Sequence, residues 1–227
     1  MHDIKRGTKV KICGLQDVEV LKSMIHLPVN DIGFVFANSR RQISPVKASE
    51  LLGQLQEWDG IEKPRSVGVF VNPDLEQLET VMSVAQLDVI QLHGQESPAF
   101  CKAVKERFQT SIYKVMSVRT DCAQDEQSMN LEDYADVIDS LLLDTHDPQY
   151  GGGSGTTFAW DRIPFYREWT ARHGIELIVA GGLHADNVEQ LIKDYKPDGV
   201  DISSGVETDG VKDIDKIVAF VERVKQA

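Results

Sequence analysis

The residues of this chain that could carry chemistry stand where short apolar runs end. Cys13 closes Lys11-Ile12-Cys13-Gly14. A thiolate there could serve as a nucleophile or as a proton-abstracting base. Lys11 shares its strand face, a helix expected to begin near Gln16 turns its N-terminal dipole toward it, and Gly14 leaves access. The plainer alternative is a small buried hydrophobe. Asp144 follows Leu141-Leu142-Leu143. A carboxyl at the rim of so apolar a run is expected to have a raised pKa and to act as an acid. It could equally be a loop aspartate that caps nearby amides. Arg40 and Arg41 form a pair suited to clamping an anion or, alternatively, solvated loop charge. His93, in Gln91-Leu92-His93-Gly94, reads either as a pocket residue or as a satisfied core histidine. Gly181-Gly182 and Ser203-Ser204-Gly205 offer turn amides that could cradle a phosphate. Gly151-Gly152-Gly153-Ser154-Gly155 reads as a loop able to cover a site. It is no Walker sequence, because no Gly-Lys-Ser/Thr ends it.

These groups need a scaffold, and the apolar runs supply one. Lys9–Ile12, Asp31–Phe36, Ser66–Val71, Val89–Leu92, Ile112–Ser117, Leu141–Asp144, Glu176–Val179 and Gly199–Ile202 each read as a brief buried strand. Helical spacing fills the gaps. Ser44-Pro45, Asn72-Pro73 and Ser97-Pro98 are start signals for three of the helices. Cys122–Tyr134 is the expected fifth helix. Val211–Lys225 is the last, with Ile214, Ile217, Val218 and Val221 as its apolar stripe. Eight strands alternating with about eight helices predict a single (β/α)₈ barrel spanning residues 1–227 as one domain. An open doubly wound sheet is the runner-up, but no G-x-G-x-x-G follows the first strand. Strand parity adds a direction. Val10 and Ile12, Ile90 and Leu92, and Val200 and Ile202 should face the helices. Lys11 and Cys13, Gln91 and His93, and Asp201 and Ser203 should then point into the barrel.

Composition narrows the partners. The 227 residues carry 24 basic and 36 acidic side chains, a net charge of −12, which disfavours a nucleic-acid partner. No apolar run reaches the roughly 20 residues that span a membrane, and the first residues lack the apolar stretch of a signal peptide. Cys13, Cys101 and Cys122 contain no CxxC, and the histidines show no ligand spacing. A cytoplasmic enzyme without metal or cofactor, acting on a small molecule as monomer or homodimer, is the expectation.

Taken in order, eight segments resemble the phosphoribosylanthranilate isomerase family of tryptophan biosynthesis. They are Lys11–Gly14, Gly33–Phe36 with Ser39–Arg41, Gly68–Asn72, Gln91–Gly94, Leu142–Thr145, Tyr150–Gly155, Ala180–Leu183 and Asp201–Glu207. Thr156 and Ala159 depart from the family's pattern. The resemblance implies a barrel that converts N-(5-phosphoribosyl)anthranilate into its 1-deoxyribulose phosphate isomer. It implies Cys13 as base and Asp144 as acid. It also implies Arg41, with Arg40 as the off-by-one alternative, on the anthranilate carboxylate. His93 and Asp201 would line the pocket, and Gly181, Gly182, Ser203, Ser204 and Gly205 would hold the phosphate. Another sugar-phosphate barrel enzyme and a non-catalytic phosphate-binding barrel are the rival readings.

Overall fold

A computed structural model describes residues 7–60, 62–118, 130–144 and 160–227. Eight parallel strands, each hydrogen-bonded to the next, close into a barrel: β1 (Lys9–Cys13), β2 (Asp31–Val35), β3 (Arg65–Phe70), β4 (Val89–Leu92), β5 (Ser111–Ser117), β6 (Ser140–Asp144), β7 (Glu176–Val179) and β8 (Gly199–Ile202). The ring closes where β8 pairs with β1, with Lys11 beside Asp201. Helices α1 (Val18–Ser23), α2 (Pro45–Leu55), α3 (Leu75–Val84), α4 (Pro98–Phe108), α5 (Ile163–His173), α6 (Val188–Tyr195) and α7 (Ile214–Gln226) run between or after the strands.

The alternation of side chains along the strands gives the barrel two apolar compartments. Val10, Ile12, Ile90, Leu92, Val200 and Ile202 join the large cluster shared with the helices. Val67, Val89, Tyr113, Val115, Leu142, Ile178 and Ala180 form a separate cluster, the filling of the barrel interior. Burying both faces is why the strands read as nearly continuous apolar runs.

Several local expectations need correction. The helix of the third crossover, α3, is capped by Asp74, whose carboxylate accepts from Gln77 N at 2.7 Å in a capping box. Asn72 adopts a left-handed φ of 47°, and its side-chain oxygen accepts from Gln95 N instead. The helix expected near Gln16 starts at Val18 behind an Asp17 cap and is only six residues long. The last helix starts at Ile214, because Glu207–Thr208 (β9) and Val211–Lys212 (β10) form an antiparallel hairpin first. Of the expected helix Cys122–Tyr134, Leu131–Tyr134 forms a 3₁₀ turn, and residues 122–129 lie outside the described residues. The loop Gly151–Gly155, with Thr156 and Ala159, also lies outside them. Among the described residues, no helix is long and apolar enough to cross a membrane.

Candidate active site

At the C-terminal ends of the strands, a cavity of about 340 Å³ is lined by Cys13, Arg41, Gln91, His93, Asp144, Gly181, Gly182, Asp201, Ser203, Ser204 and Gly205. Cys13, Asp144, Arg41, His93, Asp201 and the five residues expected to hold the phosphate are brought together there. Arg40 is not among the lining residues: its side chain is 59% exposed, against 21% for Arg41. A larger hollow of about 900 Å³ lies among the far ends of α2, α3 and α4, away from this chemistry.

Cys13 ends β1 and is buried. Gly33 on the neighbouring strand makes room for it, since a Cβ at Gly33 would stand 2.7 Å from the sulfur. Beneath it, Lys11 Nζ donates to Asp201 Oδ2 at 2.9 Å, and both side chains are buried. Burial pushes the Cys13 thiol up; Lys11 and, more weakly, Lys212 pull it back, while Asp201 opposes them. The net direction is upward, contrary to the expectation of an N-terminal helix dipole favouring thiolate. A six-residue α1 is a weak dipole, and desolvation outweighs it. Burial likewise raises the Asp201 carboxyl against the pull of Lys11. Burial works against the Lys11 ammonium too, but Asp201, with Cys13 and Asp31, more than reverses it and holds its pKa up.

Across the mouth, Asp144 ends β6 with its side chain one-quarter exposed. Its Oδ2 lies 3.2 Å from His93 Nε2, and the His93 Nδ1 lies 3.5 Å from the Gln91 amide nitrogen. If that amide donates to Nδ1, the ring hydrogen sits on Nε2 and faces Asp144. Gln91 Oε1 and Asp201 Oδ1 are buried without a hydrogen-bond partner among the described residues. Two unsatisfied acceptors on residues that line a cavity are costly unless something else supplies donors.

The remaining wall is backbone. Gly181 and Gly182 take φ of 86° and 61°, a conformation that disfavours other residues. Gly205 lies so close to the β7 loop that a Cβ would fall 2.0 Å from Leu183 O. The loops after β7 and β8 therefore pack backbone to backbone, and the 3₁₀ turn Ser204–Val206 follows directly. Amide-rich turns at this place in a barrel suit a phosphate.

The sequence profile described as N-(5'phosphoribosyl)anthranilate (PRA) isomerase matches residues 10–223. The chain belongs to the PRA isomerase family. An N-(5'-phosphoribosyl)anthranilate isomerase of Brevibacillus brevis is 44% identical over 218 residues, covering 96% of this chain and 94% of the relative. The crystal structure of phosphoribosyl anthranilate isomerase from Thermotoga maritima superposes with a TM-score of 0.78 at 35% identity, covering 97% of this chain and all of that one. A PRA isomerase solved in complex with reduced 1-(o-carboxyphenylamino)-1-deoxyribulose 5-phosphate matches with a TM-score of 0.75 at 31% identity, over 97% of this chain and 100% of that one.

Beyond the expected set, the site includes residues that the sequence alone does not assign. Strand parity points Gln91 into the barrel, but its residue type alone assigns it no role. Glu207 and Lys212 sit behind Arg41, on the β9–β10 hairpin, with side chains about 5% exposed. Glu207 accepts from Arg41 Nε at 2.6 Å and Nη2 at 2.9 Å, from Arg40 Nη2 at 2.6 Å and from Lys212 Nζ at 2.8 Å. Three cations around one carboxylate make the mouth locally positive in an acidic protein. Among the described residues, no cluster of three or more His, Cys, Asp or Glu side chains could hold a metal ion.

Proposed function

We propose that this chain isomerises N-(5'-phosphoribosyl)anthranilate to 1-(2-carboxyphenylamino)-1-deoxyribulose 5-phosphate in tryptophan biosynthesis, with Cys13 as general base and Asp144 as general acid. The observation that carries the assignment of roles is their shared cavity: a thiol on β1 and a carboxyl on β6 face one space, with a glycine-lined cradle along its wall. Asp144 in its acid form gives a proton to the furanose ring oxygen. The C1–O bond breaks, and the anthranilate nitrogen's lone pair forms the iminium. Cys13 thiolate takes the C2 proton. The released electron pair becomes the C1–C2 double bond, and the iminium electrons return to nitrogen as an enolamine. Loss of the C2 hydroxyl proton and protonation at C1 give the ketone. Cys13 ends as thiol and Asp144 as carboxylate, so one proton passed back between them resets the pair.

Each acid–base group typically contributes about 10²–10⁴-fold. Holding the substrate at both anionic ends supplies much of the remainder. Arg41 is assigned to the anthranilate carboxylate, and Gly181, Gly182, Ser203, Ser204 and Gly205 to the phosphate. His93 and Asp201 border the reacting carbons. Because Glu207 engages Nε and Nη2 of Arg41, the pair leaves Nη1 out of its own hydrogen bonds, which suits binding of a second carboxylate. We assign residues 1–227 to one catalytic domain, place it in the cytosol, and take its partner to be this small phosphorylated substrate, with no nucleic acid.

The decisive experiment is turnover of freshly prepared phosphoribosylanthranilate, followed by fluorescence loss. Loss at a rate proportional to enzyme concentration is expected. Binding of the substrate without turnover would favour a non-catalytic phosphate-binding barrel and overturn the proposal.

A further inference from the structure

The hairpin that interrupts the expected C-terminal helix is built around two buried charges. Asp209 and Gly210 take φ of 53° and 82°, the left-handed pair that a two-residue hairpin turn requires. The turn sets Lys212 directly opposite Glu207 in the antiparallel register, on the same face. Glu207 anchors the hairpin to Arg41. The Arg41 side chain in turn lies over Gly14, where a Cβ would stand 2.5 Å from Arg41 Cδ. Lys212 Nζ reaches the other way. It donates to Ser203 O at 2.8 Å and to Ser203 Oγ at 3.3 Å, and Ser203 Oγ donates to Cys13 O at 3.1 Å. Arg41, Glu207, Lys212, Ser203 and Cys13 are thus joined by consecutive polar contacts. Burying a lysine and a glutamate costs several kcal/mol per ion before pairing, so such a pair persists without obvious gain in stability.

We propose that Glu207 and Lys212 are positioning residues of the isomerase site: Glu207 aims Arg41 at the carboxylate end of the substrate, and Lys212 fixes the Cys13–Ser203 seam while adding positive charge beside the base. This rests on the isomerase reading above. The electrostatics agree with the geometry. Burial lowers the Lys212 pKa, and Glu207 offsets part of that loss. Burial also opposes the Glu207 carboxylate, yet Arg41 and Lys212 hold its pKa down at about 2. Lys212 also favours thiolate at Cys13. The other charged and titratable groups around Cys13 are Lys11 below it, Asp201 on β8 and Arg41 above. His93 and Asp144 face it from across the cavity, and Asp31 lies deeper.

Two variants separate the two roles. Lys212→Met should move the low-pH limb of kcat/KM upward by about one unit, the usual size for removal of a nearby opposite charge. Lys212→Arg, which keeps the charge, should leave the limb close to its wild-type position. The alkylation rate of the full-length protein by iodoacetamide, with Cys13→Ser as the blank, should show the same upward move in its pH midpoint. That readout needs no turnover. Glu207→Gln should raise KM roughly tenfold, the scale of a lost charged hydrogen bond, while kcat changes much less. Both readings lower the melting temperature, but a purely structural pair would leave the thiol midpoint in place and give no KM-against-kcat split. Absence of turnover in the wild-type chain would count against the isomerase reading. A wild type that turns over, with an unchanged alkylation midpoint in Lys212→Met and no KM-against-kcat split in Glu207→Gln, would overturn the positioning role.

Discussion

The barrel holds polar constellations at both ends, built by the same strand alternation. At the N-terminal end, Arg65 Nε donates to Asp31 Oδ1 at 2.9 Å, Tyr113 Oη donates to Asp31 Oδ2 at 2.8 Å, and Arg65 also contacts the Tyr113 hydroxyl. Lys9 pairs with Glu176 beside them. Asp31 is buried and its carboxylate is engaged on both oxygens. At the other end, Asp201 is also buried, yet one oxygen has Lys11 and the other has no partner among the described residues. Between the two ends lies the apolar plug of Val67, Val89, Leu142 and Ile178. The difference shows that charge in the barrel is no mark of function. A saturated network fills and seals the interior, whereas one with acceptors left over beside a cavity is prepared for a ligand.

That contrast can be broken by exchanging the expected effects. Cys13→Ser should cost about 10²–10⁴-fold in kcat, because a hydroxyl is too weak a base, and should leave product-analogue affinity within several-fold. Kinetics with calorimetric binding would check this; a variant with near-normal turnover would move Cys13 back to the structural class. Arg65→Met at the sealed end should do the reverse. Leaving Asp31 without its cation should cost about 3 kcal/mol, or roughly 6–12 °C in melting temperature, with kcat nearly unchanged. Arg41→Ala should raise KM roughly tenfold and, because Glu207 keeps Arg40 and Lys212, should lower the melting temperature less than Arg65→Met does. Should Arg40→Ala do this instead, Arg40 and not Arg41 holds the carboxylate.

A pH experiment sharpens the same contrast at the hairpin. The Glu207 pKa is depressed from 4.5 to about 2 in the folded protein. Its contribution to stability is therefore fully present above about pH 4.5 and is lost as the pH falls toward 2. The melting temperature of Glu207→Gln should lie below wild type at neutral pH, and the two curves should converge across that acid window. Parallel curves would mean the carboxylate carries none of the acid sensitivity.

The two ends also differ in how legible they are in the sequence. The eight strands emerge within a residue or so of their expected bounds, because buried parallel strands need unbroken β-branched runs and nothing else in the chain looks like them. Parity then places Lys11, Gln91, His93, Asp201 and Ser203 inside. The hairpin was hidden by its neighbour: the stripe Ile214, Ile217, Val218, Val221 extends back to Val211 in helical spacing. Asp209-Gly210, a hairpin signal, lacked the long flanking strands that normally make it readable. At Asn72-Pro73 a cap-like pair concealed the real cap, Asp74, two residues on. The thiol of Cys13 is hard to read from sequence for a different reason. A sequence displays neighbouring charges such as Lys11, but desolvation comes from segments far away in the chain.

The central claim is that Asp144 and Cys13 work as an acid–base pair across one cavity, and Asp144→Asn tests it most directly. The amide keeps shape and hydrogen bonding to His93 but has no proton of suitable acidity to give. Measured on one preparation, kcat should fall by about 10²-fold or more while the melting temperature stays within a few degrees. An active but less stable Asn variant would contradict the account and make Asp144 a strand-end cap.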